Sequence, residues 1–155
     1  MSQNVLLLVM PEYEAPHATA YALERARERG AGLVALAVLD PDAHQTVART
    51  LADVGFVGER VSDDVVEALE QERRSFAERQ VGLVAEEARR RGVPCTTLVE
   101  EGDPTEVCAR VARQHGIITA VLVAEKQSWL TRFLSRSAPV RLPALPGCEV
   151  KIMED

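Results

Sequence analysis

The stretch VLLLVMPEYEAPHATAYALERARERGAGLVALAVL, residues 5–39, holds two continuous apolar runs with a helical pattern between them. Val5 to Met10 and Leu33 to Leu39 are each of strand length, and neither alternates apolar with polar residues. A strand wetted on one face alternates, whereas a parallel strand covered by helices on both faces reads as an unbroken apolar run. Between them the helical pattern runs from about Ala15 to Arg29, and Gly30 stands where a helix is commonly closed by a left-handed residue. The unit is β-α-β.

Downstream the same alternation continues. The signal weakens from Asp40 to Val61, where Pro41, Gly55 and Gly58 punctuate a short helix expected near Ala43 to Ala52, within an elaborated crossover. Ser62 is then the expected N-cap of a long helix to about Arg91, with Asp63 and Asp64 in its first turn where the helix dipole favours acids. Leu69, Phe76 and Leu83 recur along it at heptad spacing and mark its apolar face, with Val65 and Val84 nearby. Glu70, Arg73, Arg74, Glu78 and Arg79 form its solvated face.

Pro94 to Glu100 supplies a third strand, and Glu101-Gly102-Asp103-Pro104 turns the chain into another helix. Asp103 can cap that helix, Pro104 suits its first position, and Glu106 sits where a capping-box acid reaches back. The helix runs to His115, ends at Gly116 and leads into the strand Ile117 to Ala124. A last strand, Cys148 to Met153, alternates and so reads as an edge. Strands and helices alternate through one domain, residues 1–155, which is an α/β parallel sheet.

Composition narrows the function classes. A net charge of -6 argues against a nucleic-acid surface spread over the molecule. Met1 to Asn4 lacks the basic region of a signal peptide, and Val5 to Met10 is too short to span a membrane, so a cytoplasmic protein with no membrane partner is expected. Cys95, Cys108 and Cys148 are far apart and read as buried reduced thiols. His17, His44 and His115 show no metal-ligand spacing, and no nucleophile, base and acid set is arranged recognisably. No catalytic or metal site is expected.

Taken together, the opening strand and helix ending in Glu28-Arg29-Gly30-Ala31-Gly32-Leu33, the phrase Glu101-Gly102-Asp103-Pro104, and the strand Val121-Leu122-Val123 resemble the universal stress protein family. The resemblance covers the whole chain. It implies a flavodoxin-like, doubly wound sheet of five parallel strands in the order 3-2-1-4-5, helices on both faces, and often a homodimer formed by pairing the last strands, here Cys148 to Met153. In nucleotide-binding members an acidic residue ends the first strand, and a loop of pattern Gly-x-x-Gly-x9-Gly-Ser/Thr follows the fourth strand and wraps the phosphates of ATP.

Carried onto this chain, that pattern is degenerate. The three glycine positions fall on Val123, Lys126 and Arg136, the hydroxyl position falls on Ser137, and the acidic position falls on Met10. Only the hydroxyl is kept. Side chains at the glycine positions obstruct the close approach and positive φ that let backbone amides cradle phosphate, and Pro139, Pro143 and Pro146 interrupt the helix expected behind Ser137. No cofactor is expected by that route.

Two readings of the replaced loop stay open. From Lys126 to Arg141 there are four basic residues, Lys126, Arg132, Arg136 and Arg141, and no acids. Such a run can hold ATP or AMP phosphates by side-chain contact, with Trp129 stacking on the base, and weak ATPase activity belongs only to this alternative. In the other reading, Ser128 to Ser135 is a short amphipathic helix whose Trp129, Leu130, Phe133 and Leu134 pack inward. Met10, Val38, Val123, Lys126, Trp129, Arg136 and Ser137 are the candidate ligand residues, and Glu12 and Glu14 stand close to the first strand's end. The favoured expectation is a non-enzymatic regulatory dimer of the stress response, acting by association with an unknown protein partner or through a divergent ligand.

Overall fold

The computed structural model describes residues 3–10, 14–40, 59–124 and 148–154. These form β1 (Asn4–Leu8), α1 (Pro16–Glu28), β2 (Gly32–Leu39), α2 (Glu59–Arg90), β3 (Cys95–Glu101), α3 (Pro104–His115), β4 (Ile117–Ala124) and β5 (Glu149–Glu154). All five strands lie in one sheet of order β3-β2-β1-β4-β5, with every neighbouring pair parallel. This is the flavodoxin-like α/β arrangement, and it places β5 at an edge.

The unbroken apolar runs become the middle of the sheet. Leu6, Leu7, Leu8, Leu33, Leu36 and Leu122 are all fully buried, and burying each side chain stabilises the fold by roughly 1.5–3 kcal/mol. Alternate residues feed two cores. Val5, Leu7, Val9, Leu33, Ala35, Ala37, Val121 and Val123 meet Ala18, Ala22, Leu23 and Ala26 of α1 and Ala77, Val81, Val84 and Ala88 of α2. Leu6, Leu8, Val34, Leu36, Val38, Ala120 and Leu122 meet Val107, Cys108 and Val111 of α3. The sheet-facing sides of α1 and α2 are rich in alanine, which lets these helices lie close to it.

The helix ends follow local chemistry. Pro16 opens α1 without a side-chain cap, since its missing N–H removes one of the donors a cap would satisfy. Gly30, at φ 61°, turns the chain out of α1, and the Ala31 amide donates to Ala26 O at 2.8 Å. Gly116 ends α3 in the left-handed region at φ 60°, its amide donating to Ala112 O.

Two expectations for the long helix change. It begins at Glu59, so Ser62 lies inside it and is not its N-cap; Glu59, Arg60 and Val61 carry no glycine or proline to stop the helix short of Gly58. Its heptad residues are not its core face either. Leu69, Phe76 and Leu83 are 40%, 39% and 44% exposed, while the 3-4 spaced set Ala77, Val81, Val84 and Ala88 packs on the sheet. Small residues win the contact because a helix lying flat on a sheet needs a thin face.

The edge strand β5 is held from both sides. Cys148 and Val150 pack on the α3 side, and Met153 packs on the α1 side, where Arg25 pairs with Glu149 at 3.3 Å and Lys151 stands over the Tyr21 ring at 5.8 Å. Ile152 departs from the alternation and is exposed. The short helix expected near Ala43 to Ala52 lies outside the described residues. No helix among the described residues is long and apolar enough to cross a membrane.

Candidate functional site at the carboxyl edge of the sheet

In an open α/β sheet, ligands meet the carboxyl ends of the strands, at the point where the strand order turns back. Here that point lies between β1 and β4, because β1 is flanked by β2 on one side and β4 on the other. Register decides which candidates meet there. Leu8 pairs with Leu36, and the Val9 amide donates to Leu36 O at 2.7 Å, so the ladder carried two residues on brings Met10 level with Val38. Leu7 pairs with Val121, which brings Val9 level with Val123.

Met10 and Val38 are therefore level, Val123 stands one residue lower beside Val9, and the candidates do not share one face. Val38 belongs to the core under α3, and Val123 to the core under α1 and α2. All three are closed to solvent: Met10 is 7% exposed, Val38 8% and Val123 0%. Lys126, Trp129, Arg136 and Ser137, the basic run, the amphipathic segment, Glu12 and His44 lie outside the described residues. Glu14 is exposed just ahead of α1, and His17 is exposed within it.

The neighbouring turn between β3 and α3 is built from the Glu-Gly-Asp-Pro phrase, and each residue has a physical task. Gly102 has φ 145°, a conformation open essentially to glycine, and a Cβ there would stand 3.1 Å from Val107 Cγ2. Its amide donates to Leu39 O at 3.1 Å, tying the turn to the end of β2. Asp103 caps α3 by accepting from the Thr105 amide at 2.8 Å and the Glu106 amide at 3.4 Å. The anion-binding end of α3 is thus already filled by a carboxylate of its own chain.

The edge near β2 and β3 is acidic, with Asp40, Glu100, Glu101 and Asp103 close in the fold. Glu100 pairs with Arg110 at 3.5 Å, and Glu101 with Arg74 at 3.2 Å; both pairs are exposed and contribute little. Thr105 is buried, and its hydroxyl has no hydrogen-bond partner among the described residues. Sequence reasoning missed it, because a threonine in the first turn of a helix carries no mark of burial. Gly102 was noticed only as part of a phrase.

Among the described residues the three cysteine thiols are all shifted away from nucleophilic chemistry. Burial pushes the Cys108 thiol up to about 12, with the Asp103 charge adding to the effect. Burial also raises the Cys95 thiol, against a backbone hydrogen bond that lowers it, and it raises Cys148. All three thiols are free; Cys108 is buried as expected, whereas Cys95 and Cys148 are only half-buried, at the start of β3 and just ahead of β5. A thiol acts as a nucleophile only as its thiolate. Among the described residues no group of three His, Cys, Asp or Glu side chains is placed to hold a metal ion.

The geometry has known counterparts. Universal stress protein UspA from Lactobacillus plantarum is similar over 99% of this chain and 99% of its own, at 19% identity and a TM-score of 0.65. A universal stress protein family protein from Arabidopsis thaliana with AMP bound is similar over 99% of this chain and 92% of its own, at 12% identity and a TM-score of 0.58. A universal stress protein in complex with cAMP is similar over 99% and 97%, at 14% identity and a TM-score of 0.54. No curated protein matches the chain. The model of the universal stress protein family matches residues 1–142, and the chain belongs to that family.

Proposed function

We propose that this chain acts as a non-enzymatic, dimeric regulator of the stress response whose cleft does not take ATP through a glycine loop. The observation that carries this reading is the end of β1. Met10, where the resemblance implies an acid, is an apolar side chain 7% exposed, and its thioether is at most a weak acceptor for a sugar hydroxyl. Val123 adds to it, since a branched side chain fully buried in the core stands where the first glycine of a phosphate loop would admit backbone amides.

The dimer pairs the β5 edges of two copies, Cys148 to Met153 against its mate, because an edge strand presents unpaired backbone groups that isologous pairing satisfies. The cytoplasm is the compartment this reading assigns. The test of the cleft is direct. Protein purified without added nucleotide, then denatured and assayed by absorbance and mass spectrometry, is expected to release none, and titration with ATP, AMP or cAMP to give no calorimetric heat. Stoichiometric nucleotide in either experiment overturns the reading.

A second reading is favoured by the AMP and cAMP held by two proteins of this fold. In it the cleft binds ATP or AMP by side chains, with Lys126 and Arg136 at the phosphates, Ser137 as a further donor and Trp129 on the base, and any ATP hydrolysis is slow. This reading requires Trp129 fluorescence to saturate with AMP or ATP, and the response to be lost when Lys126 and Arg136 are both replaced by Ala.

A further inference from the structure

A second face of α2 carries an apolar pattern that takes no part in the sheet core among the described residues. Leu69, Phe76 and Leu83 are 40%, 39% and 44% exposed. Seven residues fall about 20° short of two turns, so the three line one stripe within an arc of about 40°. The residues that pack on the sheet, Ala77, Val81, Val84 and Ala88, are centred about 110° further round the helix, at 3.6 residues per turn.

About 100° round the helix from the stripe, beyond Glu72 and Arg79, runs a line of exposed small residues, Ala68, Ser75 and Gly82, with the same seven-residue repeat. Gly82 is informative. Glycine inside a helix destabilises it by about 1 kcal/mol relative to alanine, and a Cβ at Gly82 would meet nothing within 4 Å. No contact within the described chain therefore calls for glycine at that position.

The pattern is palindromic. A two-fold axis at Phe76 carries Leu69 onto Leu83, about 10.5 Å to either side at 1.5 Å per residue, and sets the apolar stripe of one helix against that of an antiparallel mate, Leu69 beside Leu83 and Phe76 beside Phe76. The charges obey the same axis. Glu72 lies about 6 Å to one side of Phe76 and Arg79 about 4.5 Å to the other, on the same flank of the stripe. Antiparallel pairing thus sets Glu72 of each copy against Arg79 of the other. Arg79 already stands over the Phe76 ring at 5.2 Å from its centroid, which holds it at the seam.

We infer that α2 is a self-association surface, on which a second copy of this chain docks antiparallel with Phe76 on the two-fold axis. The recognition is an apolar stripe against its own copy, flanked by two symmetric Glu72–Arg79 pairs. A single helix-on-helix contact falls at the small end of specific interfaces, below about 1,200 Å2 in total, where association is transient. The contact forms only when the protein is concentrated and does not involve the carboxyl-edge cleft or β5.

The experiment uses the full chain. Phe76→Cys, which puts the two new thiols on the two-fold axis, is expected to cross-link to a covalent dimer under mild oxidation, well beyond the parent with its own three cysteines, while Glu78→Cys on the far side of α2 stays at the parent level. In sedimentation velocity, Phe76→Glu and Glu72→Arg are each expected to weaken self-association at least tenfold. The double swap Glu72→Arg with Arg79→Glu restores it, a rescue that a generally damaged helix would not give. Equal cross-linking at residues 76 and 78, or self-association unchanged by Phe76→Glu, overturns the proposal. So does loss of circular dichroism in Phe76→Glu without any change in oligomer size, because the stripe is then covered from within the chain.

Discussion

Cys108 sits on α3 under the sheet, and its thiol, at an ordinary value of 9.0, is raised to about 12, first by burial and second by the charge of Asp103. The folded value lies above the unfolded one. Below pH 9 both states keep the proton and the full contribution to stability is present; between pH 9 and 12 the unfolded chain loses the proton while the folded chain retains it. Stability therefore falls as pH rises through that window, by about 1.4 kcal/mol per unit from this one group. Cys108→Ala is expected to be less stable than the parent at pH 8, through lost packing. In urea melts at pH 8, 9.5 and 11 the gap between the two should narrow steadily. A gap of constant size would show that the buried thiol does not titrate as its surroundings dictate.

At the scale of elements, two glycines make opposite predictions. Gly102 holds a turn at φ 145° with Val107 Cγ2 at 3.1 Å from a Cβ position, so Gly102→Ala should lower stability by about 1–3 kcal/mol. Gly82 stands in open space on a helix, so Gly82→Ala should raise the stability of the isolated chain by about 0.5–1 kcal/mol. Denaturant melts at low protein concentration read both, and the same sign for the two would contradict the assignment. The contrast also explains what the sequence made legible. The turn was readable because glycine, an N-cap acid and proline occur in the order a helix start requires. The long helix was legible as a helix, but its facing was not, because the larger heptad residues Leu69, Phe76 and Leu83 drew the eye from the Ala77, Val81, Val84 and Ala88 set that packs. Size signals apolar surface, and only contact decides which apolar surface is buried.

For the molecule as a whole, the parallel, doubly covered sheet was legible in the unbroken apolar runs, the edge position of β5 in its alternation, and the strand order only through the family resemblance. The site was less legible. Positions can be carried onto Met10 and Val123 by counting, but counting does not reveal that Val38 and Val123 serve opposite faces of the sheet, which depends on register. The remaining question is assembly, and it has a discriminating answer because the two proposed contacts use separate surfaces. Ile152, 41% exposed on β5, reports on the edge pairing, and Phe76 reports on α2. If both contacts form, two independent isologous interfaces on one chain close into a tetramer where their axes are perpendicular and otherwise build open chains. The parent is then expected to sediment as a dimer at micromolar concentration and as larger species when concentrated. Phe76→Glu should stop at the dimer at every concentration, Ile152→Asp should dimerise only weakly and only through α2, and the double variant should remain a monomer with unchanged circular dichroism. A parent that is monomeric throughout removes both contacts, and a Phe76→Glu variant that still grows past the dimer removes the one on α2 while leaving β5 intact.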